Sequence, residues 1–157
     1  MFIVQRAALP SDKDILLRWR NDPLVRKFTT ATHDITEAEH SNWFFARLKK
    51  AKTDPILLFS DSEELVGMSR LDFIPESFGK YEISILVDPE KHGMGYGSKI
   101  LNLTCLGFQR SNPLSIITAK IHENNDVSKH IFKKEGFQVI NKSGEFLILE
   151  RISNQID

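Results

Sequence analysis

Apolar residues along this chain change period several times, and each change marks an element. Tyr81-Glu82-Ile83-Ser84-Ile85-Leu86-Val87 alternates apolar and polar positions and is rich in β-branched residues, which predicts a strand. Asp88-Pro89 ends it, because proline has no N–H to give a ladder. From Ser98 to Arg110 the apolar positions Leu101, Thr104, Cys105 and Phe108 take helical spacing. Upstream, Phe2 to Ala8 predicts a first strand. Ser11, with Asp12 and Asp14 behind it, predicts the cap of a helix carrying Ile15, Leu16, Leu17 and Trp19. That helix ends near Asn21-Asp22-Pro23, and Pro23 to Phe28 forms a short second piece. Thr36 and Glu39 make a capping box ahead of Trp43, Phe44, Phe45 and Leu48, in a helix running to about Ala51. Ile56 to Ser60 and Leu65 to Ile74 read as a hairpin across the turn Asp61 to Glu64. After the break at Asn112-Pro113 come a strand (Ser115 to His122), a helix (Asn125 or Asp126 to Gly136) and two strands (Phe137 to Asn141, Phe146 to Ile152) joined at Lys142 to Glu145. The order β, α, α, β, β, β, α, β, α, β, β predicts an α/β (α+β) chain: a mixed sheet with helices packed on it.

The chain has 157 residues, which suits one domain over 1–157 with a core of its own. Lys plus Arg equals Asp plus Glu at 21 each, so the net charge offers no electrostatic case for nucleic acid or an anionic membrane. The single cysteine, Cys105, cannot form an internal disulfide and lies on an apolar helix stripe, as a core residue would. The opening Met1-Phe2-Ile3-Val4-Gln5-Arg6 is too short an apolar run for a secretion signal, and no run approaches membrane-spanning length, which predicts a cytoplasmic protein.

Candidate chemistry begins at Gly93, Gly95 and Gly97, which follow the strand at every second residue and open the next helix. Glycines this close let backbone N–H groups converge on one point. A helix N-terminus adds orphan donors and partial positive charge, so the loop suits phosphate or pyrophosphate. A P-loop is argued against because Gly97 is followed by Ser98-Lys99, the wrong order. A dinucleotide fold is argued against because no ribose-binding acid stands around Ser115 to Ala119.

These residues resemble a known family. His92-Gly93-Met94-Gly95-Tyr96-Gly97, after a strand ending in Val-Asp-Pro, is similar to the pyrophosphate loop of the GNAT acetyltransferases, with His92 where Arg or Gln is usual. Asn125-Asp126-Val127-Ser128 followed by Phe132 and by Gly136-Phe137 resembles that family's second signature. The resemblance covers essentially the whole chain. It implies a mostly antiparallel sheet of about seven strands with helices on both faces. It implies acetyl-CoA as co-substrate and no metal. Ser98 joins the loop in holding pyrophosphate, Ile85, Leu86 and Val87 pair with the pantetheine arm, and Asn125, Ser128 and Phe132 line the cofactor. The family's acid tyrosine is replaced here by Phe132.

An alkylammonium has a pKa of about 10, so the acceptor must lose a proton before it attacks. Glu82 is the first candidate base, Ser84 on the same strand face can order a relaying water, and His122 is a second candidate base. The N-terminal half should choose the acceptor. Trp19-Arg20-Asn21-Asp22-Pro23-Leu24-Val25-Arg26 and Glu39-His40-Ser41-Asn42-Trp43-Phe44 resemble GNAT enzymes that acetylate the 4-amino group of UDP-linked deoxy sugars. Arg20, Asn21 and Arg26 then fall to the nucleotide side, and His40 and Trp43 to a sugar or base. Acetylation of protein N-termini or other small amines, and a non-catalytic acyl-CoA-binding regulator, stay open, as does monomer or homodimer.

Overall fold

The computed structural model describes residues 1–31 and 33–152. Strands β1 (Ile3–Ala7), β2 (Ile56–Asp61), β3 (Glu64–Phe73), β4 (Lys80–Val87), β5 (Ile116–His122), β6 (Gln138–Ser143) and β7 (Phe146–Ile152) form one sheet in the order β1-β2-β3-β4-β5-β7-β6. Every neighbouring pair is antiparallel except β4 and β5. The sheet is the seven-stranded, mostly antiparallel one expected.

Helices α1 (Lys13–Asn21), α2 (Pro23–Arg26) and α3 (Glu37–Lys49) precede β2, α4 (Tyr96–Ser111) joins β4 to β5, and α5 (Asp126–Lys134) joins β5 to β6. Leu16 and Trp19 of α1 and Phe44 of α3 pack on Ile56, Leu58 and Met68 on one face of the sheet. Leu101 and Cys105 of α4, Phe132 of α5 and Phe137 pack on Leu71, Ile83, Ile117, Ala119 and Leu149 on the other. Each buried Leu, Ile, Met or Phe among them contributes about 1.5–3 kcal/mol by leaving water, so the two faces hold the sheet from both sides. Cross-strand partners share a face. The pairs Met68 with Leu86, Arg70 with Ser84 and Asp72 with Glu82 therefore lie together on the α1/α3 side.

Two local expectations are corrected. Ser11 caps nothing; a 3-10 turn over Pro10–Asp12 precedes α1, and the buried Asp12 carboxylate accepts the Leu9 N–H at 2.7 Å and both Arg6 nitrogens at 2.7 and 2.8 Å. Asp12 wins because its carboxylate meets a cation and an amide together. Helix α4 starts at Tyr96, not Ser98, because Gly95 at φ 84° supplies its left-handed N-cap. The β2–β3 turn is tight, with Ser62 at φ 50° and Glu63 at φ 73°. No helix among the described residues is long and apolar enough to cross a membrane.

Candidate active site

Strands β4 and β5 pair only where Lys80–Glu82 meets Ile116–Thr118. Beyond Glu82 the strands part, and a cleft of about 560 Å³ opens, of a size usual for ligand sites. One wall is Ile85, Leu86 and Val87; the floor is His92, Gly93, Gly95, Tyr96, Gly97 and Ser98; the far wall is Asn125, Ser128 and Ile131. Gly93 and Gly95 have positive φ of 78° and 84° with open space where a Cβ would stand, so they are needed for backbone conformation. Among the described residues no side chain caps α4, so its first-turn N–H groups are left for a ligand. The loop is braced from below. The Tyr96 hydroxyl donates to Asp61 at 2.9 Å, Asp61 also accepts the Phe2 N–H at 2.9 Å, and Lys91 pairs with Glu64 at 2.7 Å.

The other expected cofactor residues divide. Asn125 caps α5 by accepting the Ser128 N–H at 3.1 Å, and both line the cleft. His92 lines it while its Nε2–H donates to the Val87 carbonyl at 3.1 Å. Met94 is exposed and outside the lining. Phe132, expected to line the cofactor, lies outside the cleft lining: it is 3 % exposed, edge-on to Phe137 at 5.0 Å, and part of the core. Helix α5 presents Val127, Ser128 and Ile131 to the cleft, and one further residue turns about 100° away from it. Leu24, Val25, Lys27 and Phe28, in and just after α2, close the cleft from the acceptor side and were not anticipated. The signal for Val127 was an apolar residue, now 71 % exposed, on a short polar helix.

Glu82 and Ser84 stand on β4 outside the cleft lining, half-buried on the α1/α3 face and opposite Asp72 and Arg70. Glu82 and Leu86 are four steps apart, about 13 Å along a strand, which leaves room for an amine above Ser84. His122 does not suit a base. Its Nδ1 accepts the Asn124 N–H at 3.1 Å, its Nε2 faces Glu145 at 3.5 Å, and its ring lies against Phe28 and Phe146. The Nδ1 lone pair is engaged by a backbone N–H and would have to release it before taking a substrate proton.

Three expected acceptor residues are already engaged by other parts of the chain. The Asn21 amide donates to the Ile35 carbonyl at 2.8 Å and accepts the Ile35 N–H at 2.7 Å, so it pins the chain ahead of α3. Arg26 pairs with Asp34. His40 is fully buried; its Nε2–H donates to the Lys13 carbonyl at 2.7 Å, which leaves Nδ1 to accept from Arg20 at 3.1 Å. Burial, more than any neighbour, holds the His40 pKa below its ordinary value, so the ring is neutral. Trp43 is half-buried, with the Arg20 guanidinium 4.3 Å from its ring centre and that of Arg70 at 5.3 Å. Arg70 entered no expectation, because strand register alone brings it beside Ser84.

Residues 4–138 match the family model described as an acetyltransferase (GNAT) domain. An uncharacterized protein of Methanocaldococcus jannaschii is 26% identical over 150 residues, and the match covers 91% of this chain but only 29% of that relative's length. The crystal structure of a domain from Methanocaldococcus jannaschii is similar with a TM-score of 0.81 at 24% identity, over 96% of this chain and 97% of that one. A Vibrio cholerae spermidine N-acetyltransferase, in complex with CoA and spermine, has a TM-score of 0.80 at 14% identity, over 94% and 92% of the two chains. With the family model matched over most of its length, and with the glycine loop, the parted strands and the seven-stranded sheet already in place, this chain belongs to the GNAT acetyltransferase family.

Proposed function

We propose that this protein transfers the acetyl group of acetyl-CoA to a primary amine by direct attack in a ternary complex, and that the amine is the 4-amino group of a UDP-linked deoxy sugar. The observation that carries the transfer reading is the cleft between β4 and β5, floored by the uncapped first turn of α4. Pyrophosphate binds those amides and the pantetheine arm runs beside Ile85 to Val87. The acceptor enters from the α1/α3 side, and Glu82 takes its proton, directly or through a water ordered by Ser84. The amine nitrogen bonds to the thioester carbon, a backbone N–H near Leu86 or Val87 steadies the oxyanion, and the C–S bond breaks. A thiol pKa of about 8.5 makes the thiolate a fair leaving group without a tyrosine at position 132. The sugar-nucleotide acceptor is supported by the residue patterns at 19–26 and 39–44.

Thiol release from acetyl-CoA across amine acceptors tests both levels. Turnover with a UDP-linked amino sugar and none with peptides is the expected result. Turnover with peptides alone overturns the acceptor, and no heat with CoA in calorimetry overturns the transfer. Glu82→Gln is expected to lower kcat by about 100-fold or more near neutral pH, with partial recovery at alkaline pH as free amine accumulates. Full activity in that variant removes Glu82 as the base.

A further inference from the structure

Helices α1 and α3 and strand β3 place three guanidinium groups around one indole. Arg20, Arg70 and Arg47 lie 4.3, 5.3 and 5.9 Å from the centre of the Trp43 ring, within cation–π range. They are not equivalent. Arg47 is spent on structure, bonded to Asp72 and to the carbonyls of Asp54 and Leu71 at 3.2 Å each. Arg70 shares Asp72, at 3.5 Å, with Arg47. Arg20 has no carboxylate within ion-pair distance among the described residues; its polar contact is neutral His40, itself held by Lys13. Burial and then Arg70 push the Arg20 pKa down to about 10, so it stays charged at neutral pH. Two half-buried like charges, one without an opposite charge, cost stability unless an anion completes them.

The cluster adjoins the reaction path. Arg70 is directly opposite Ser84 and diagonal to Glu82, which sets the two residues about 7–8 Å apart. A cationic receptor and a carboxylate base on one sheet face complement a molecule with opposite charges at the same spacing. We infer that the acceptor carries a phosphate or carboxylate about 5–8 Å from its amine, and that this anion is received by Arg20 and Arg70 on Trp43 while the ammonium meets Glu82. This rests on the amine-acetylation reading, but not on a nucleotide. An amino-sugar phosphate and an amino acid with a side-chain carboxylate share the chemistry. Polyamines do not, because a second cation would fall beside two guanidiniums.

The test pairs binding with turnover. The 1-phosphate of 4-amino-4-deoxyglucose, its neutral methyl glycoside, glutamate, glutamate diamide and spermidine are titrated calorimetrically into the CoA-saturated protein and assayed for thiol release. The inference expects one anionic compound to exceed its neutral partner by 10-fold or more in affinity and in kcat/KM, and which pair responds tells phosphate from carboxylate. In Arg20→Gln and Arg70→Gln that ratio falls toward one through a rise in KM, and Arg20→Lys restores part of it; the heat of CoA binding checks that each variant is folded. Equal use of neutral and anionic partners, preference for spermidine, or equal losses on all acceptors in the arginine variants overturns the inference. Anion binding with no turnover leaves the receptor standing and sinks the transfer reading. Turnover of neutral amines alone does the reverse.

Discussion

Gly67 lies in β3 opposite Val87, and the space for a methyl group there is already taken. A Cβ would stand 2.5 Å from the Leu86 carbonyl oxygen, 2.6 Å from Ile100 Cδ1 and 3.2 Å from Val87 Cα. The Ile100 methyl can rotate aside, but the carbonyl belongs to the β3–β4 ladder and moves only with its strand. Overpacking of this kind costs about 1–3 kcal/mol. A clash with backbone takes the upper part of that range, less about 0.5 kcal/mol for the reduced freedom of the unfolded chain. A net loss of about 2 kcal/mol lowers Tm by about 4–8 °C in a chain this long. Leu86 and Val87 also line the cleft, so Gly67→Ala should raise KM for acetyl-CoA severalfold. Gly107 is the control. It is inside α4, with Gln5 Nε2 at 3.8 Å as its nearest neighbour, so Gly107→Ala should raise Tm through helix propensity worth about 0.5–1 kcal/mol. Thermal unfolding followed by circular dichroism reads both. A Gly67→Ala protein melting with the wild type, or both variants shifting the same way, refutes the steric account.

Burial pushes the Asp12 carboxyl up, but Arg6 and the Leu9 amide outweigh it and hold its pKa below the usual range. Its stabilisation is therefore complete above about pH 3.9 and lost as pH falls through the lower folded value. The Tm gap between wild type and Asp12→Asn should be constant near neutral pH and shrink below about pH 4; a gap constant down to pH 2 counts against the pair. Burial pushes the Cys105 thiol up to about 11, so an aromatic disulfide reagent at pH 8 should find no thiol in the native protein and one after unfolding. Glu63, at φ 73° in a turn that glycine suits, should yield about 1 kcal/mol of added stability as Glu63→Gly, read as a rise of about 2–4 °C in Tm.

Features coded by neighbours in sequence were legible before the fold was known. Thr36 and Glu39 announce α3 because a capping box is complete within four residues. The glycine loop announces the floor of the cleft because its conformations are local. Placement by register or helical angle was not legible. Arg70 is one charged residue in a strand until β3–β4 pairing sets it beside Ser84. Phe132 and Ile131 are equally apolar, and only the rotation of α5 decides which meets the cleft. Asn21 and His40 have polar side chains of the kind a substrate uses, but Ile35, Lys13 and Arg20 reach them first.

The short seam between β4 and β5 also bears on how the molecule should be handled. One side of the sheet is stitched to the other by Lys80–Glu82 against Ile116–Thr118, with α4 laid across β3 and β4. A coenzyme seated in the gap would act as mortar between those sides. Occupancy at one hundred times Kd adds about 2.7 kcal/mol to the folded state. Purified without it, the enzyme should breathe along this joint, with amides of Ile83 to Val87 exchanging fastest among the central strands until CoA is returned.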